Sequence, residues 1–394
     1  MASADRRHAL LLGLLHAALE SVEGRRCVRE ALLAARPAQR DAPVWVAAVG
    51  KAACSMTLGA RDALGPALER VLVITKRGHL AAELLSLPGI EAHESAHPIP
   101  DTRSLAAGRR LLEWVKELPP SVSPMFLISG GASSLVEVLE PEVSLAQLEE
   151  LCARGLAAGV PIGELNTRRA RLSQIKGGRL ATHLAGRPAR AFFLSDVPDD
   201  DPAVIGSGLL GPAPDGSDRI ERQVIASVDR AMEGVAAAAL QRGLTVERVP
   251  QRFAGEATRL ATRFTHELLI GNTQVRVWGG ESTVHLPANP GRGGRNQHLA
   301  LAAAKLLADY PQLMLLAAGT DGTDGPTEAA GGLVSAETCG RLTLAGLDVE
   351  DCLARADSGT ALAAAEALVS TGPTGTNVAD LVIGLKLPQN WAGT

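Results

Sequence analysis

The chain has 394 residues, 46% of them hydrophobic, and a formal net charge of -4; that length favours two or three domains over one. Charges of both signs are mixed along it with no basic block and no aromatic-basic interleaving, which argues against a nucleic-acid partner. The cysteines Cys27, Cys54, Cys152, Cys339 and Cys352 form no C-x-x-C pair and sit near no histidine at ligand spacing. That pattern argues against structural zinc and a disulfide framework and for a reducing, cytoplasmic compartment.

Arg6-Arg7 followed by Ala9–Leu15 has the look of a signal peptide, but no small-x-small cleavage site follows. The segment runs on into Glu20, Glu23, Arg25 and Arg26, so a buried opening helix is expected, then a second helical stretch from Val28 to Ala35. No apolar run approaches the roughly twenty residues that a membrane helix needs. Val44–Val49, Val71–Thr75, Met125–Ile128 and Ala191–Leu194 are continuous apolar runs rather than alternating ones, as expected for strands buried on both faces of a parallel sheet. Ala/Leu-rich helical stretches between them supply the crossovers. The first part is therefore expected to be a doubly wound α/β sheet with ligands at the carboxyl ends of its strands. A helix is expected from Glu256 to Leu269, then a second set of strands at Val275–Trp278, Thr283–Leu286, Leu313–Leu316 and Leu381–Leu385. The domain boundary is placed at 268/269, without a low-complexity linker.

Several strand ends carry chemistry. Gly50-Lys51 puts a cation inside a strand-to-helix turn, where the helix dipole favours an anion; it is not a P-loop, because Trp45 stands where the upstream glycine belongs and Ala52 replaces the Ser/Thr. Ser129-Gly130-Gly131-Ala132-Ser133-Ser134 reads as an anion cradle, against the simpler reading of a serine-capped helix. Asp196 follows the Ala191–Leu194 strand and is the carboxylate best placed to enter a site, ahead of Asp199, Asp200 and Asp201. Gly206-Ser207-Gly208-Leu209-Leu210-Gly211 has the letters of a dinucleotide fingerprint, but it follows no clear strand and runs into Pro212 and Pro214 instead of opening a helix. Arg292 and Arg295 lie in a glycine-rich loop before a helix expected over Leu299–Ala308, which suits a phosphate or carboxylate clamp as well as a mobile surface loop. Gly319-Thr320-Asp321-Gly322-Thr323-Asp324 closes the Leu313–Ala317 run. Its two aspartates could hold a hard cation such as Mg²⁺, or form a solvated turn.

The ordered string of these motifs resembles the class II glycerate 2-kinases, which join a glycerate-kinase N-terminal domain to a C-terminal MOFRL domain. Its carriers span nearly the whole chain: Val49–Ala52, Ile74–His79, Ala96–Asp101, Ser129–Ser133, Leu165–Arg168, Leu172–Gly178, Ser195–Val197, Ser207-Gly208, Gly279–Glu281, Gly294–Gln297, Gly319–Gly322 and Thr371–Asn377. The resemblance implies two α/β domains, a Rossmann-like one over 1–268 and a smaller MOFRL domain over 269–394, with an interdomain cleft. It also implies ATP- and Mg²⁺-dependent phosphorylation of D-glycerate, or a related hydroxy acid, at its 2-hydroxyl. On that basis Lys51 and Arg295 are expected to stabilise phosphoryl charge or hold the substrate carboxylate, and Asp196 to orient or deprotonate the attacking hydroxyl. Ser129, Gly130, Gly131, Ser133 and Ser134 would cradle phosphate; Gly319, Thr320 and Asp321 would meet the nucleotide, and Asp321 and Asp324 the metal. The chain departs from the family at Gly359, after Asp357-Ser358, where an aromatic is usual; this bears on a contact near the substrate more than on the fold.

Two other readings stand beside it. A hydroxypyruvate reductase, the name long attached to relatives, would need a nicotinamide site, and the only G-x-G-x-x-G is in the wrong context. A non-catalytic anion-binding protein would explain the glycine loops but not so many charged residues at strand ends. The sequence leaves the oligomeric state open, a homodimer included.

Overall fold

The computed structural model describes residues 3–34, 43–157 and 162–391. They form two compact units, one of Glu23–Ser227 with the returning segment Gly375–Val378, the other of Met1–Val22, Val228–Thr374 and Ala379–Thr394.

The first unit is built on six parallel strands: β1 Val44–Val49, β2 Leu68–Lys76, β3 Ile90–Ser95, β4 Ser123–Ile128, β5 Pro188–Leu194 and β6 Arg219–Ala226. Their order is β3-β2-β1-β4-β5-β6, that of a dinucleotide-type doubly wound sheet. The interior strands are those foreseen from apolar runs; Val46–Val49 and Phe126–Ile128 are wholly buried. The sequence reading missed β3 and β6 because they are the sheet edges, where half-exposed faces break the apolar run. Trp114 packs edge-on against Phe126 at 5.9 Å between ring centroids, anchoring helix Thr102–Lys116 to the sheet. Because strand order reverses between β1 and β4, the loops after these two strands flank the switch point where such sheets bind ligands.

The second unit holds a mixed sheet of β7 Val246–Arg248, β8 Phe253–Glu256, β9 Val275–Thr283, β10 Leu313–Gly319, β11 Gly331–Ser335, β12 Leu368–Val369 and β13 Asp380–Lys386. β9, β13, β10, β11 and β12 run antiparallel to their neighbours, while β7 and β8 join β9 in parallel. Phe264 stacks between Phe253 and Trp278 in its core, at 5.3 and 4.8 Å. The strand expected at Thr283–Leu286 is not formed: β9 ends at Thr283, and Leu286 is exposed.

Packing divides the chain at Ser227/Val228 rather than at 268/269. Helix Val228–Gln241 buries Val228, Ala231, Met232 and Val235 within the second unit, and no Pro/Gly linker marks the change in sequence. The opening helix Ser3–Ser21 belongs to the same unit. Its Leu11, Leu14 and Ala18 are fully buried, Arg7 donates to Pro311 O at 2.8 Å, and Ser21 Oγ donates to Arg230 O at 3.1 Å. It is a packed element, as expected. Among the described residues no helix is long and apolar enough to cross a membrane.

Candidate active site

In the first unit the loops after β1, β4 and β5 converge. β1 and β4 run in register, Val49 beside Ile128, so the next residues meet: Lys51 N donates to Gly130 O at 3.0 Å, and Ala52 N donates to Ser129 Oγ at 3.1 Å. Ser129 is fully buried and its hydroxyl fixes the Lys51 turn instead of facing a ligand. The helix that follows is only Ala132–Leu135, and Ala132 N and Ser134 N already donate to Ser129 O and Gly131 O. The loop therefore offers fewer free donors than its six small residues suggest. What it does offer is closeness. A Cβ on Gly130 would lie 1.8 Å from Asn377 Nδ2 and 2.1 Å from Asp196 Oδ2; one on Gly131 would lie 3.2 Å from Lys51 Cγ and 3.3 Å from His97 Nε2. Only glycine lets these four side chains gather over the turn.

Asp196 accepts a hydrogen bond from Asn377 Nδ2 at 3.1 Å. Asn377 comes from Gly375–Val378, the short segment that returns to this unit, and Gly24 N donates to Gly375 O at 3.0 Å. Sequence reading placed Asn377 and His97 in two of the strings that carry the family resemblance, without a task; nothing local in either string announces a partner far away in the chain. Ser133 Oγ lies 2.5 Å from Ser207 Oγ, which ties the β4 loop to the 206–211 glycine run. That run forms no nucleotide turn: it contains a single 3-10 turn, Ile205–Ser207, and opens no helix.

The second unit gathers a separate charged group at one end of its sheet, where Gly319, Asp380 and Gly280 lie side by side. Helix Arg295–Leu307 starts four residues earlier than expected, so Arg295 is its first residue. Arg295 Nε and Nη2 donate to the two oxygens of Asp380 at 2.6 and 3.0 Å, and Nη1 pairs with Glu281 at 2.6 Å. Burial disfavours the guanidinium charge, but Asp380 and Glu281 more than offset this and its pKa is raised. Asp380 is 1% exposed as a side chain; the sequence reading missed it because it opens an apolar strand and looks like a turn residue. Thr320 is buried, with N and Oγ1 both bonded to Ala379 O, so it joins β10 to β13.

Asp321 and Asp324 do different work. Asp321 Oδ1 accepts from Thr323 N at 2.9 Å and Thr323 Oγ1 at 3.0 Å. Asp324 caps the Arg295 helix from a distance: Oδ1 accepts from Asn296 N at 3.1 Å and Oδ2 from Gln297 N at 2.7 Å. With both oxygens committed to the helix, Asp324 does not fit the ligand role expected for it. Among the described residues no group of three or more His, Cys, Asp and Glu side chains is arranged to hold a metal. Burial pushes the Asp324 carboxyl up to about 7, against the pull of the helix N–H groups. Because folding raises this pKa, its contribution to stability is complete below about pH 4 and is lost as pH rises through about 7. The loss should be on the order of 4 kcal/mol. Denaturation midpoints measured between pH 4 and 8 should fall with pH in the native chain and lose that slope in Asp324→Asn; an unchanged slope would assign it to other groups.

The arginine loop is not mobile in the way its glycines suggest. Gly291 N donates to Arg355 O at 2.8 Å, Arg292 N to Asp357 Oδ1 at 2.9 Å, and Gly359 N to Arg292 O at 2.7 Å. A Cβ on Gly359 would lie 2.7 Å from Gln297 Oε1 and 2.8 Å from Arg292 O. This chain therefore replaces the expected aromatic by direct backbone contact between loop and helix Ser358–Ala364.

Comparison with known proteins finds similarity over most of the chain. The model of the domain of unknown function DUF4147 matches residues 10–240, and that of the MOFRL family matches 274–380. A D-glycerate 2-kinase from Thermotoga maritima is 35% identical, covering 95% of this chain and 97% of the relative. A glycerate 2-kinase from Pyrococcus horikoshii is 33% identical over 87% of each chain. The crystal structure of a glycerate kinase from Thermotoga maritima superposes with a TM-score of 0.84 at 34% identity, covering 97% of this chain and 100% of that one. The chain belongs to the glycerate 2-kinase family built from a DUF4147 and a MOFRL domain.

Proposed function

We propose that this chain transfers the γ-phosphoryl group of ATP to the 2-hydroxyl of D-glycerate, giving 2-phosphoglycerate and ADP. The observation that carries this reading is the gathering of Lys51, Gly130-Gly131 and Asp196 at the switch point of a Rossmann-order sheet, in a chain of this family. Phosphoryl transfer needs positioning and charge neutralisation more than covalent help. Asp196, held by Asn377, orients the acceptor hydroxyl and takes its proton as the oxygen–phosphorus bond forms and the bond to the ADP oxygen breaks. Lys51 stabilises charge on the phosphoryl oxygens, and Arg295 provides a second fixed cation. The backbone of Gly130, Gly131 and Ser133 lines the phosphates; Gly319 and Asp321 are assigned to the nucleotide. Mg²⁺ usually binds through one or two carboxylates plus substrate phosphates, and Asp321 suits that role better than Asp324. When bound, it neutralises phosphate charge. No disulfide joins Cys27, Cys54, Cys152, Cys339 and Cys352, which suits a reducing cytoplasm.

Incubation with ATP, Mg²⁺ and D-glycerate should release ADP in proportion to phosphoglycerate formed. No ADP, together with NADH oxidation on hydroxypyruvate, would replace the kinase by a reductase.

A further inference from the structure

Beneath the Ser129–Ser134 loop lies a charged layer that the phosphoryl chemistry does not use. Arg169 is 5% exposed and Lys176 is fully buried. Each donates to a backbone carbonyl, Arg169 Nη2 to Ser133 O and Lys176 Nζ to Val136 O, both at 2.8 Å. Neither pairs with a carboxylate among the described residues. The nearby buried acid, Glu137, gives Oε1 to Ser173 and Val138, and its Oε2 is without a partner. Arg169 Nε is likewise buried and unsatisfied. Two buried cations against one carboxylate leave a net positive charge in a low-dielectric layer, an arrangement that is costly without an anion to complete it.

Directly above runs a directed chain of hydrogen bonds. Ser207 Oγ donates to Asn166 Oδ1 at 3.0 Å. Its one proton is thereby committed, so Ser133 is the donor in the 2.5 Å contact with Ser207. Asn166 Nδ2 makes no hydrogen bond among the described residues, and Asn166 and Ser133 are part-exposed. Ser207 holds this geometry with a left-handed backbone, φ 59°, between two glycines that share it. A non-glycine residue there is strained, and such strain gathers at ligand sites.

We propose that Asn166, Ser133 and Ser207 form the subsite for the hydroxy-carboxylate acceptor, with Arg169 and Lys176 supplying positive potential from below. A hydroxy acid fits both ends of the chain. Its carboxylate accepts from Asn166 Nδ2, and a hydroxyl donates to Ser133 Oγ, whose own proton points to Ser207. This rests on the kinase reading for its substrate class; it shares Ser133 with the phosphate loop, through the hydroxyl rather than the backbone, and adds Asn166 and Ser207, which the phosphoryl group does not use.

The test uses Asn166→Ala and Ser207→Gly, the latter deleting the hydroxyl while glycine keeps the left-handed backbone without strain. Asn166→Ala should raise the KM for D-glycerate by about 10- to 100-fold, as expected for losing a hydrogen bond to a charged ligand. Ser207→Gly, which removes the group that orients Asn166 and Ser133, should raise it in the same direction by less, and in both the KM for ATP stays within about twofold. Calorimetric titration of D-glycerate without nucleotide should show the same loss of affinity. An inactive native chain that still binds D-glycerate through these residues would sustain the subsite and remove the kinase reading. An unchanged D-glycerate affinity in both variants, a rise in the ATP KM alone, or a native chain that binds no small hydroxy acid would overturn it.

Discussion

Replacing Lys51 by alanine is expected to lower kcat for D-glycerate phosphorylation by about 10²- to 10³-fold, the usual cost of removing one preorganised donor from a developing charge, while the unfolding midpoint stays put. The reason for the clean separation lies in where the residue sits. Its backbone holds the β1 turn through Gly130, and alanine preserves that bond. Its side chain is part-exposed and passes close to Gly131 and His97, so its loss opens no core cavity. The loss should fall on kcat and kcat/KM together, because the charge on the transferred group is largest in the transition state. Steady-state kinetics in an ADP-coupled assay, with thermal unfolding in parallel, would decide it. Kinetics within threefold of the native chain would remove Lys51 from the phosphoryl site.

The interior of the first sheet was legible because β1, β4 and β5 are buried on both faces and write continuous apolar runs, and their carboxyl ends then named Lys51, Gly130 and Asp196 by position alone. Edges were not legible. β3 and β6 are half solvated, and β11 begins inside the glycine-rich stretch that reads as a loop. The 319–332 segment is thus a hairpin connection, with Ala318 opposite Gly331, and its acids divide between an internal turn and a helix cap. Partners brought together only by tertiary structure stayed hidden for a plain reason. Asp380 and Asn377 lie close in sequence yet serve different units, one holding Arg295 and the other Asp196. Composition carries no trace of such a division; only the packing of Gly375–Val378 reveals it. The packing division at Ser227/Val228 stayed hidden for the same cause, since helix Val228–Gln241 joins the second unit without any linker.

Arg295→Ala should behave differently from Lys51→Ala, losing both stability and turnover. Asp380 is buried with both oxygens on the guanidinium, so removing Arg295 leaves a carboxylate without a counter-ion. Breaking a buried pair from one side costs about 3–5 kcal/mol, and denaturant unfolding should show it. Asp380→Ala should cost less, because Arg295 keeps Glu281 and is itself 37% exposed. Glu281→Ala should be close to neutral for stability, as a half-exposed pair contributes only about 0–1 kcal/mol. The double replacement Arg295→Met with Asp380→Leu separates the two effects. Removing both charges relieves the uncompensated carboxylate, so most of the stability should return, whereas kcat should remain about 10²- to 10³-fold down if the guanidinium acts on the phosphoryl group. A double variant that regains turnover along with stability would make Arg295 a structural partner of Asp380 and leave Lys51 as the cation of the reaction.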